Sequence, residues 1–304
     1  MKNEISVVIP CTRPGWLLQR AVESVSKESS VKKIIVVFNG VNASYGYEQF
    51  KTYAAKNRKL HCMERPDVYS APEARNIGLS LVTSDYVHFL DDDDFVLPDF
   101  YTKALASFKG NVVGVAASAN IITERTSEIV DVAFRRKSTV SLHDLYIENY
   151  VGVTSGVVLN TSVVLASGGF DVTMPARQDY ALWLGCSVFG HFVCLKDITF
   201  CWTENVLSPS ISNDVLFDKH VVAINKLRQI KKVNTSNAHL RCLEKLQAES
   251  NHQKYLAKMH KKNRSPRYWF RSFLALILFP SPSVLALFLN KKFTAKMKRV
   301  IYKP

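Results

Sequence analysis

Residues 71–94 read APEARNIGLSLVTSDYVHFLDDDD, and this stretch decides the fold. Ala71–Leu81 has helical character, with Pro72 near the first turn, where proline is favoured. Asp85–Leu90 (DYVHFL) is short and mostly apolar, which predicts a strand inside a sheet. Four consecutive carboxylates, Asp91–Asp94, follow this strand directly. A helix, a buried strand and a charged loop in this order are typical of an α/β sheet.

The segments before this stretch repeat the alternation of strand and helix. Ile5–Pro10 (ISVVIP) and Val31–Phe38 (VKKIIVVF) are apolar runs, which predicts strands buried on both faces of a parallel sheet. Trp16–Val25 has apolar residues at helical spacing, and Tyr47–Lys56 can form another helix. The N-terminal part therefore predicts an open α/β sheet.

The pattern is less regular after residue 110. Asn111–Ala119 and Val153–Leu159 predict further strands, and Asp179–Phe189 predicts a helix. Between the two strands, Glu124–Asn149 is polar and uneven, which indicates loops and one helix opened by Ser141.

The formal net charge of +14 is concentrated at one end of the 304-residue chain. Residues 1–218 hold 20 Lys and Arg against 24 Asp and Glu, whereas residues 219–304 hold 20 against two acids. Apolar residues make up 47% of the chain, which excludes a disordered protein. The basic end indicates an anionic partner. We predict an α/β domain over residues 1–215 and a basic helical region over residues 216–304.

The basic region contains two short apolar runs, Phe273–Phe279 and Val284–Leu289. Neither reaches the ~20 residues that a spanning helix needs. With basic and aromatic residues around them, residues 268–289 are typical of a hairpin lying in an anionic membrane surface. The alternative is a pair of helices packed on the α/β domain. Nucleic acid is a less favoured partner, because no nucleic-acid-binding module is recognisable.

The compartment is predicted from the N-terminus and the cysteines. No apolar stretch long enough for a signal peptide precedes Ile5, and the six cysteines contain no C-x-x-C pair. Free thiols in a reducing compartment are the simplest interpretation. We therefore expect a cytoplasmic protein, peripheral on the inner face of the cell membrane.

Asp91–Asp94 is the clearest candidate for a functional site. Most acidic runs are only solvated surface. Here the run follows a buried strand, at the end of an open α/β sheet where ligands bind. Adjacent carboxylates repel one another unless a cation compensates them, and such oxygen ligands suit Mg²⁺ or Mn²⁺, which in turn bind diphosphates. The residues alone predict a metal–phosphate site.

The chain resembles the family 2 inverting glycosyltransferases in six ordered stretches: ISVVIP (5–10), QRAVESV (19–25), IIVVFNG (34–40), EARNIGLSLVTSDYVHFLDDDD (73–94), SGGFD (167–171) and QDYALWL (178–184). Together they cover about residues 5–212. The resemblance implies a glycosyltransferase-A fold, which is a mixed, mostly parallel sheet with flanking helices. It also implies a nucleotide-sugar donor, expected to be a UDP-sugar, and a Mn²⁺ or Mg²⁺ cofactor. We expect a lipid-linked glycan acceptor, as in bacterial O-antigen or capsule synthesis.

The resemblance implies roles for residues of the donor side. In the D-x-D motif the first acid, Asp91, lies near the ribose, and the last acid, Asp93, holds the metal. We expect both to contact the metal, and Asp94 to support the site as a further family acid. The residues expected to bind the donor are Pro10, Thr12, Asn39, Arg75, Asp91 and Asp92.

Asp179 is the expected general base. An acid in the first turn of a helix is common, because the helix dipole favours it there. The resemblance implies instead that Asp179 removes the proton of the acceptor hydroxyl, since Gln178-Asp179 matches the family motif. Inverting displacement needs one such base on the face opposite the leaving group. Gly168, Gly169 and Gln178 are expected on the acceptor side.

Four positions depart from the family pattern, and one of them is Gly185, which stands where an Arg is frequent. Asn39 stands where the family usually carries an acid that contacts the base, although an amide can still hydrogen-bond a base edge. Arg13-Pro14 occupies the region of the usual Asn after Thr12. Residues 202–205 lack the His that many relatives use as a metal ligand, and Glu204 is a candidate substitute.

Two other functions stay open. A sugar nucleotidyltransferase shares the α/β layout, but it needs a Gly-rich loop that residues 10–20 lack. A catalytically silent relative, acting as a membrane- or nucleic-acid-binding module, would tolerate Asp93→Asn and Asp179→Asn without loss of function.

Overall fold

The computed structural model describes residues 3–204 and the single positions Val222, Ala223, Lys226, Leu227, Gln253 and Leu274. The chain divides into two compact units, Met1–Leu145 with Asn149–Asp214 and Tyr146–Glu148 with Val215–Pro304. The predicted basic helical region and its hairpin at residues 268–289 lie outside the described residues, apart from the six positions just named. Within the part of the chain that is described, none of the helices combines the length and apolar character needed to span a bilayer.

The described residues form ten strands and seven α-helices. The strands are β1 (Ile5–Cys11), β2 (Val31–Asn39), β3 (Leu60–Arg65), β4 (Tyr86–Phe89), β5 (Phe95–Val96), β6 (Val112–Thr123), β7 (Ile129–Ala133), β8 (Thr139–Val140), β9 (Val157–Asn160) and β10 (His191–Glu204). The helices are α1 (Trp16–Ser26), α2 (Val41–Ala54), α3 (Ala71–Ser80), α4 (Phe100–Ser107), α5 (Leu142–Ile147), α6 (Thr161–Ala166) and α7 (Gln178–Cys186).

All ten strands belong to one mixed sheet, with the strand order β3-β2-β1-β4-β9-β6-β10-β5, β7 on β6 and β8 on β10. β1 pairs in parallel with both β2 and β4, so these three strands end at the same edge. β9 is antiparallel to β4 and to β6, and it joins the parallel part of the sheet to the rest. The edge where β1, β2 and β4 end is where an open α/β sheet binds ligands.

The centre of the sheet is covered on both faces. Every residue of β1 is buried, and Ile5, Val7 and Ile9 belong to the same core cluster as the apolar face of α1. On the other face α3 lies very close to the strand, since a Cβ at Gly78 would be 2.3 Å from Val8 Cγ1. The two-sided burial explains the continuous apolar run in this strand.

The predicted elements are present, with differences at their boundaries. α2 begins at Val41, before the predicted start at Tyr47, because Gly40 at φ 84° turns the chain directly from β2 into the helix. The predicted strand from Val153 begins instead with a 3₁₀ turn, and its strand part is Val157–Asn160.

Four regions contain strands that the pattern did not predict, and two of them are the short strands β3 and β5. The segment predicted as loops and one helix contains that helix, α5, but also β7 and β8. β7 is largely exposed, so it lacks the apolar alternation of a half-buried strand. β10 was not predicted, because its alternation is interrupted where Lys196 and Asp197 break the register with β6.

Candidate active site

Loops after three parallel strands meet at the same edge of the sheet. Thr12 directly follows β1, Asn39 is the last residue of β2, and Asp91 lies two residues after the end of β4. These strands run side by side in parallel, and α3 lies beside the edge with Arg75 in its second turn. The fold thus brings together the segments that carry the expected donor-binding residues.

Asp91 is held by two partners. Arg75 Nη2 donates to Asp91 Oδ1 at 2.5 Å, and the Asp91 backbone N–H donates to Ser155 Oγ at 3.1 Å. The Arg75 side chain is only 9% exposed, whereas that of Asp91 is 35% exposed. Because the arginine is buried and the pair is charge-assisted, the Asp91 carboxylate is fixed in direction yet accessible from solvent.

Asp92 holds the loop after β1. Its Oδ2 accepts from the backbone N–H of Thr12 at 3.2 Å and of Arg13 at 3.4 Å. Burial raises the pKa of Asp92, the Arg13 charge lowers it, and the Asp91 charge raises it. The Asp92 carboxylate was expected to bind the donor. In the structure it holds the backbone of Thr12, which was also expected to bind the donor.

Asp93 has a fixed backbone and a carboxylate that faces a cation. Its carbonyl oxygen accepts from Arg20 Nη2 at 2.6 Å and from Thr203 Oγ1 at 2.5 Å. Its Oδ2 lies 2.8 Å from Arg13 Nη2. Burial, with the charges of Asp92 and Asp91, raises the pKa of Asp93 to about 7. The neighbouring carboxylates thus raise the pKa of this group although Arg13, which lowers it, lies beside it.

Asp94 ties the acid run to the last strand of the sheet. It is 1% exposed, and its Oδ1 accepts from the Thr203 backbone N–H at 2.7 Å. Burial and the neighbouring aspartates raise the pKa of Asp94 well above its usual range, although the Ser155 hydroxyl also hydrogen-bonds it. Thr203 lies in the stretch, residues 202–205, where many relatives carry a metal-binding His. In this chain Thr203 supports the acid run through its backbone N–H. Glu204, the candidate substitute, is exposed.

Asp91 and Asp93 are the residues that would hold a divalent cation. Within residues 3–204 and the six single positions, no three His, Cys, Asp or Glu side chains are grouped as a closed metal site. Mg²⁺ sites for nucleotides typically use only one or two carboxylates and complete their shell with water and phosphate oxygens. Two partly exposed carboxylates beside an open edge fit that requirement.

Asn39 is a buried amide at the end of β2. It is 1% exposed, and within the described part of the chain neither its Oδ1 nor its Nδ2 has a hydrogen-bond partner. An amide buried without partners is costly, so its position at a ligand-binding edge marks it as a candidate ligand contact. Pro10, also expected at the donor, is buried inside β1 in register with Val37.

The SGGFD segment is tied to α3 by one side chain. Asn76 Nδ2 donates to Phe170 O at 2.8 Å, and the Phe170 N–H donates to Asn76 Oδ1 at 2.9 Å. Gly168 and Gly169 have φ of 88° and 72°, and a Cβ at Gly169 would lie 2.8 Å from Asn76 Oδ1. Two glycines at positive φ therefore allow the close approach of the segment to Asn76.

Asp179 lies in the first turn of α7, next to this site. It is partly buried, and its Oδ1 accepts from the Tyr180 N–H at 2.7 Å. Burial raises the pKa of Asp179, Arg177 and Arg75 lower it, and Asp91 raises it. Since Arg75 and Asp91 both act on this carboxyl, the structure places it with the donor-side residues. Gln178 donates to Met174 O at 3.2 Å and so supports the turn before the helix.

His88 lies buried in the core, in the strand that precedes the acid run. Its Nε2 lies 2.9 Å from Ser155 O and its Nδ1 lies 2.8 Å from Tyr101 Oη. Because a carbonyl only accepts, Nε2 carries the proton and Nδ1 accepts from the tyrosine. Burial lowers the pKa of His88 to about 4.

Four residues support the site without having been singled out: Arg20, Asn76, Ser155 and Thr203. Arg20 and Asn76 stand within stretches that match the family, so a motif signal existed for them. Ser155 and Thr203 have no such signal, because they act on residues 64 and 109 positions away.

The model of the family named Glycosyl transferase family 2 matches residues 6–157. An uncharacterized glycosyltransferase of Escherichia coli, YibD, is 29% identical over 99 residues, which are 33% of this chain and 28% of YibD. The pre-mycofactocin glycosyltransferase of Mycobacterium tuberculosis is 25% identical over 190 residues, which are 59% of this chain and 38% of that protein. The chain thus spans about a third of the length of these curated relatives.

Solved structures share the fold at low identity. Staphylococcus aureus TarS 1–349, solved with UDP-GlcNAc, is 13% identical with a TM-score of 0.57, covering 99% of this chain and 93% of that one. The mannosyltransferase PcManGT of Pyrobaculum calidifontis, solved with GDP-Man and Mn²⁺, is 12% identical with a TM-score of 0.60, covering 99% and 81%. At these identities the likeness establishes the fold, and it confirms the expected glycosyltransferase-A architecture.

Proposed function

The chain belongs to glycosyl transferase family 2, and we propose that it moves a sugar from a nucleotide-sugar donor to an acceptor hydroxyl with inversion at the anomeric carbon. One observation carries this proposal: Asp179 lies where both members of the Arg75–Asp91 ion pair act on its carboxyl. A general base and a nucleotide-binding ion pair must lie together for direct displacement.

The donor nucleotide is assigned to the edge formed by β1, β2 and β4. The unpaired amide of Asn39 is proposed to bind the base, because it offers one acceptor and two donors that nothing in the described chain uses. Arg75 and Asp91 are proposed to bind near the ribose and the diphosphate. The Arg75 Nε is also buried without a partner among the described residues, so it can donate to donor oxygens. The same edge also contains Thr12, Pro10 and Asp92.

Asp91 and Asp93 are proposed to hold Mn²⁺ or Mg²⁺. A divalent cation, when bound, stabilises the negative charge that develops on the leaving diphosphate. Asp94 and Thr203 do not face the donor in this proposal; they hold the acid run in place through the 2.7 Å hydrogen bond between them. The presence of GDP-Man and Mn²⁺ with the mannosyltransferase PcManGT is consistent with this assignment.

Asp179 is proposed to take the proton of the acceptor hydroxyl as it attacks the anomeric carbon. Oδ1 accepts from the Tyr180 N–H, and the carboxylate keeps further lone pairs, so we assign the proton to Oδ2. A carboxyl whose pKa is raised by burial is a stronger base than an exposed one. The proton therefore moves to Asp179 Oδ2 while the nucleoside diphosphate leaves on the opposite face of the sugar.

The acceptor is proposed to be a lipid-linked glycan at the inner face of the cell membrane, as in surface-polysaccharide synthesis. Its support is the sequence of residues 219–304, with 20 Lys and Arg against two acids. Basic residues near anionic lipid contribute about 1 kcal/mol each. Co-sedimentation with vesicles of increasing anionic lipid content tests this point. Binding that rises with anionic lipid and falls with salt supports it, and equal binding to neutral vesicles contradicts it.

A thermal-shift panel tests the donor site. The full chain is heated with UDP, GDP, CDP or dTDP, each with and without Mn²⁺. A ligand at 100 times its dissociation constant stabilises by about 2.7 kcal/mol. We expect a Mn²⁺-dependent shift with one nucleotide, UDP being favoured, and its loss in Asp93→Asn. No shift with any nucleotide favours the catalytically silent module. In a separate assay, release of pyrophosphate from a nucleoside triphosphate would favour the nucleotidyltransferase.

A further inference from the structure

Arg13 is a positive charge that faces the acid run from solvent. Its Nη2 lies 2.8 Å from Asp93 Oδ2 and 3.8 Å from Asp92 Oδ1. The Arg13 side chain is 50% exposed, whereas those of Asp92 and Asp93 are 13% and 21% exposed. A guanidinium that is half in water thus compensates two carboxylates that are mostly out of it.

The two ends of this ion pair differ in freedom. The Asp93 backbone is fixed by Arg20 and Thr203, and the Arg13 backbone N–H is held by Asp92. Beyond its backbone, Arg13 is a long side chain with one short hydrogen bond, to Asp93 Oδ2. The guanidinium can therefore leave without moving the carboxylate, in contrast to the guanidinium of Arg75, which is buried.

We infer that Arg13 holds the place beside Asp93 that a divalent cation takes, so that arginine and cation compete for this carboxylate. The inference rests on the proposed metal site at Asp91 and Asp93. It implies that the cation alone binds weakly. It also implies that cation and nucleoside diphosphate bind together, because the displaced guanidinium then has diphosphate oxygens to pair with.

The test is a titration of the full chain with Mn²⁺ alone, in which free Mn²⁺ is measured by electron paramagnetic resonance. We expect Arg13→Gln to bind Mn²⁺ about threefold to tenfold more tightly than wild type, since a partly exposed ion pair no longer has to be broken. Arg13→Lys keeps the charge and should stay closer to wild type. Lys103→Gln is the matched control, because it removes one positive charge from the exposed Lys103–Asp197 pair, outside the acid run.

A second titration adds UDP. In wild type UDP should tighten Mn²⁺ binding more than it does in Arg13→Gln, because the arginine contributes to the coupling. The inference is overturned if Arg13→Gln binds Mn²⁺ alone no more tightly than wild type does. It is also overturned if Lys103→Gln binds Mn²⁺ alone as tightly as Arg13→Gln does. If Mn²⁺ still promotes nucleotide binding in that case, only the inference fails. If no nucleotide binds with or without Mn²⁺, the proposed function fails as well.

Discussion

Asn76 is hydrogen-bonded twice to the backbone of Phe170, at 2.8 and 2.9 Å, and this pair links two halves of the candidate site. Its neighbour Arg75 binds Asp91 and also lies 5.3 Å above the Phe170 ring. Adjacent residues of α3 therefore connect the proposed donor side to the glycine segment proposed for the acceptor side.

The first prediction concerns that link. Asn76→Ala leaves the Phe170 N–H and C=O without these partners, so we expect unfolding to become easier by about 1–3 kcal/mol. Steady-state kinetics should show a raised KM for the acceptor with little change in nucleotide affinity. Asn76→Asp keeps the acceptor for the Phe170 N–H but sets a carboxylate oxygen against Phe170 O, so it should not restore wild-type stability. Equal stability of all three proteins would contradict the link.

The second prediction concerns the base. Asp179→Asn keeps the size of the side chain but removes the proton acceptor, so transfer should fall by about 10²–10⁴-fold while Mn²⁺-dependent nucleotide binding stays. Asp131→Asn is the control, because Asp131 Oδ1 also accepts from the next backbone N–H but lies exposed on β7. Full transfer by Asp179→Asn would show that another group takes the proton.

The third prediction is a pH dependence. Burial raises the pKa of Asp179 above its usual value near 3.8, and the base acts only when it is deprotonated. The kcat/KM of wild type should therefore rise with pH through this raised pKa, so the acid limb lies above the ordinary value of 3.8. Rates measured from about pH 3 to pH 8 at saturating metal locate the limb. A limb at the ordinary value or below it would mean that the carboxyl is not desolvated in the free enzyme.

The fourth prediction concerns stability. The pKa of His88 falls from 6.5 to about 4 on folding, so between these values the unfolded chain binds a proton that the folded chain does not. Acidification through this window should lower the free energy of unfolding by about 3 kcal/mol through this residue. The raised pKa values of Asp92, Asp93 and Asp94 act in the opposite direction, and they are common to wild type and variant.

His88→Gln isolates the histidine term, since glutamine can donate to Ser155 O and accept from Tyr101. Urea unfolding at pH 7 and pH 4.5 should show a difference between the two proteins that changes with pH. If the difference in the free energy of unfolding between the two proteins is the same at both pH values, then His88 binds its proton in the folded chain as well as in the unfolded chain.

The sequence predicts the centre of the fold well and its rim less well. The buried set of α1 is Leu17, Leu18, Ala21, Val22 and Val25, which is the set that helical spacing predicts. β1 and β2 were predicted because central parallel strands are apolar on both faces. β7 and β10 were not, because exposure and a break in register remove the alternation that a strand pattern needs.

The residues of the candidate site were likewise predicted only in part. Motifs predict Arg75, Asp91 and Asp179 as site residues, because Asp91 follows a buried strand, Asp179 lies in the first turn of a helix and Arg75 belongs to a matched stretch. The partners of the acid run were not predictable, since Ser155 and Thr203 are ordinary hydroxyl residues far along the chain. Asn39 was predicted as a base contact, but only the structure shows that its amide is buried with no partner among the described residues.

The hydrogen bond from Thr203 to Asp94 spans 109 residues, which has a consequence for synthesis on the ribosome. The four aspartates leave the exit tunnel long before β10 exists. Closing so long a segment is slow compared with forming the local β1–α1–β2 unit. The acid run is therefore among the last parts of the sheet to reach its final structure. A nascent chain that stalls before residue 203 lacks the backbone N–H that fixes Asp94.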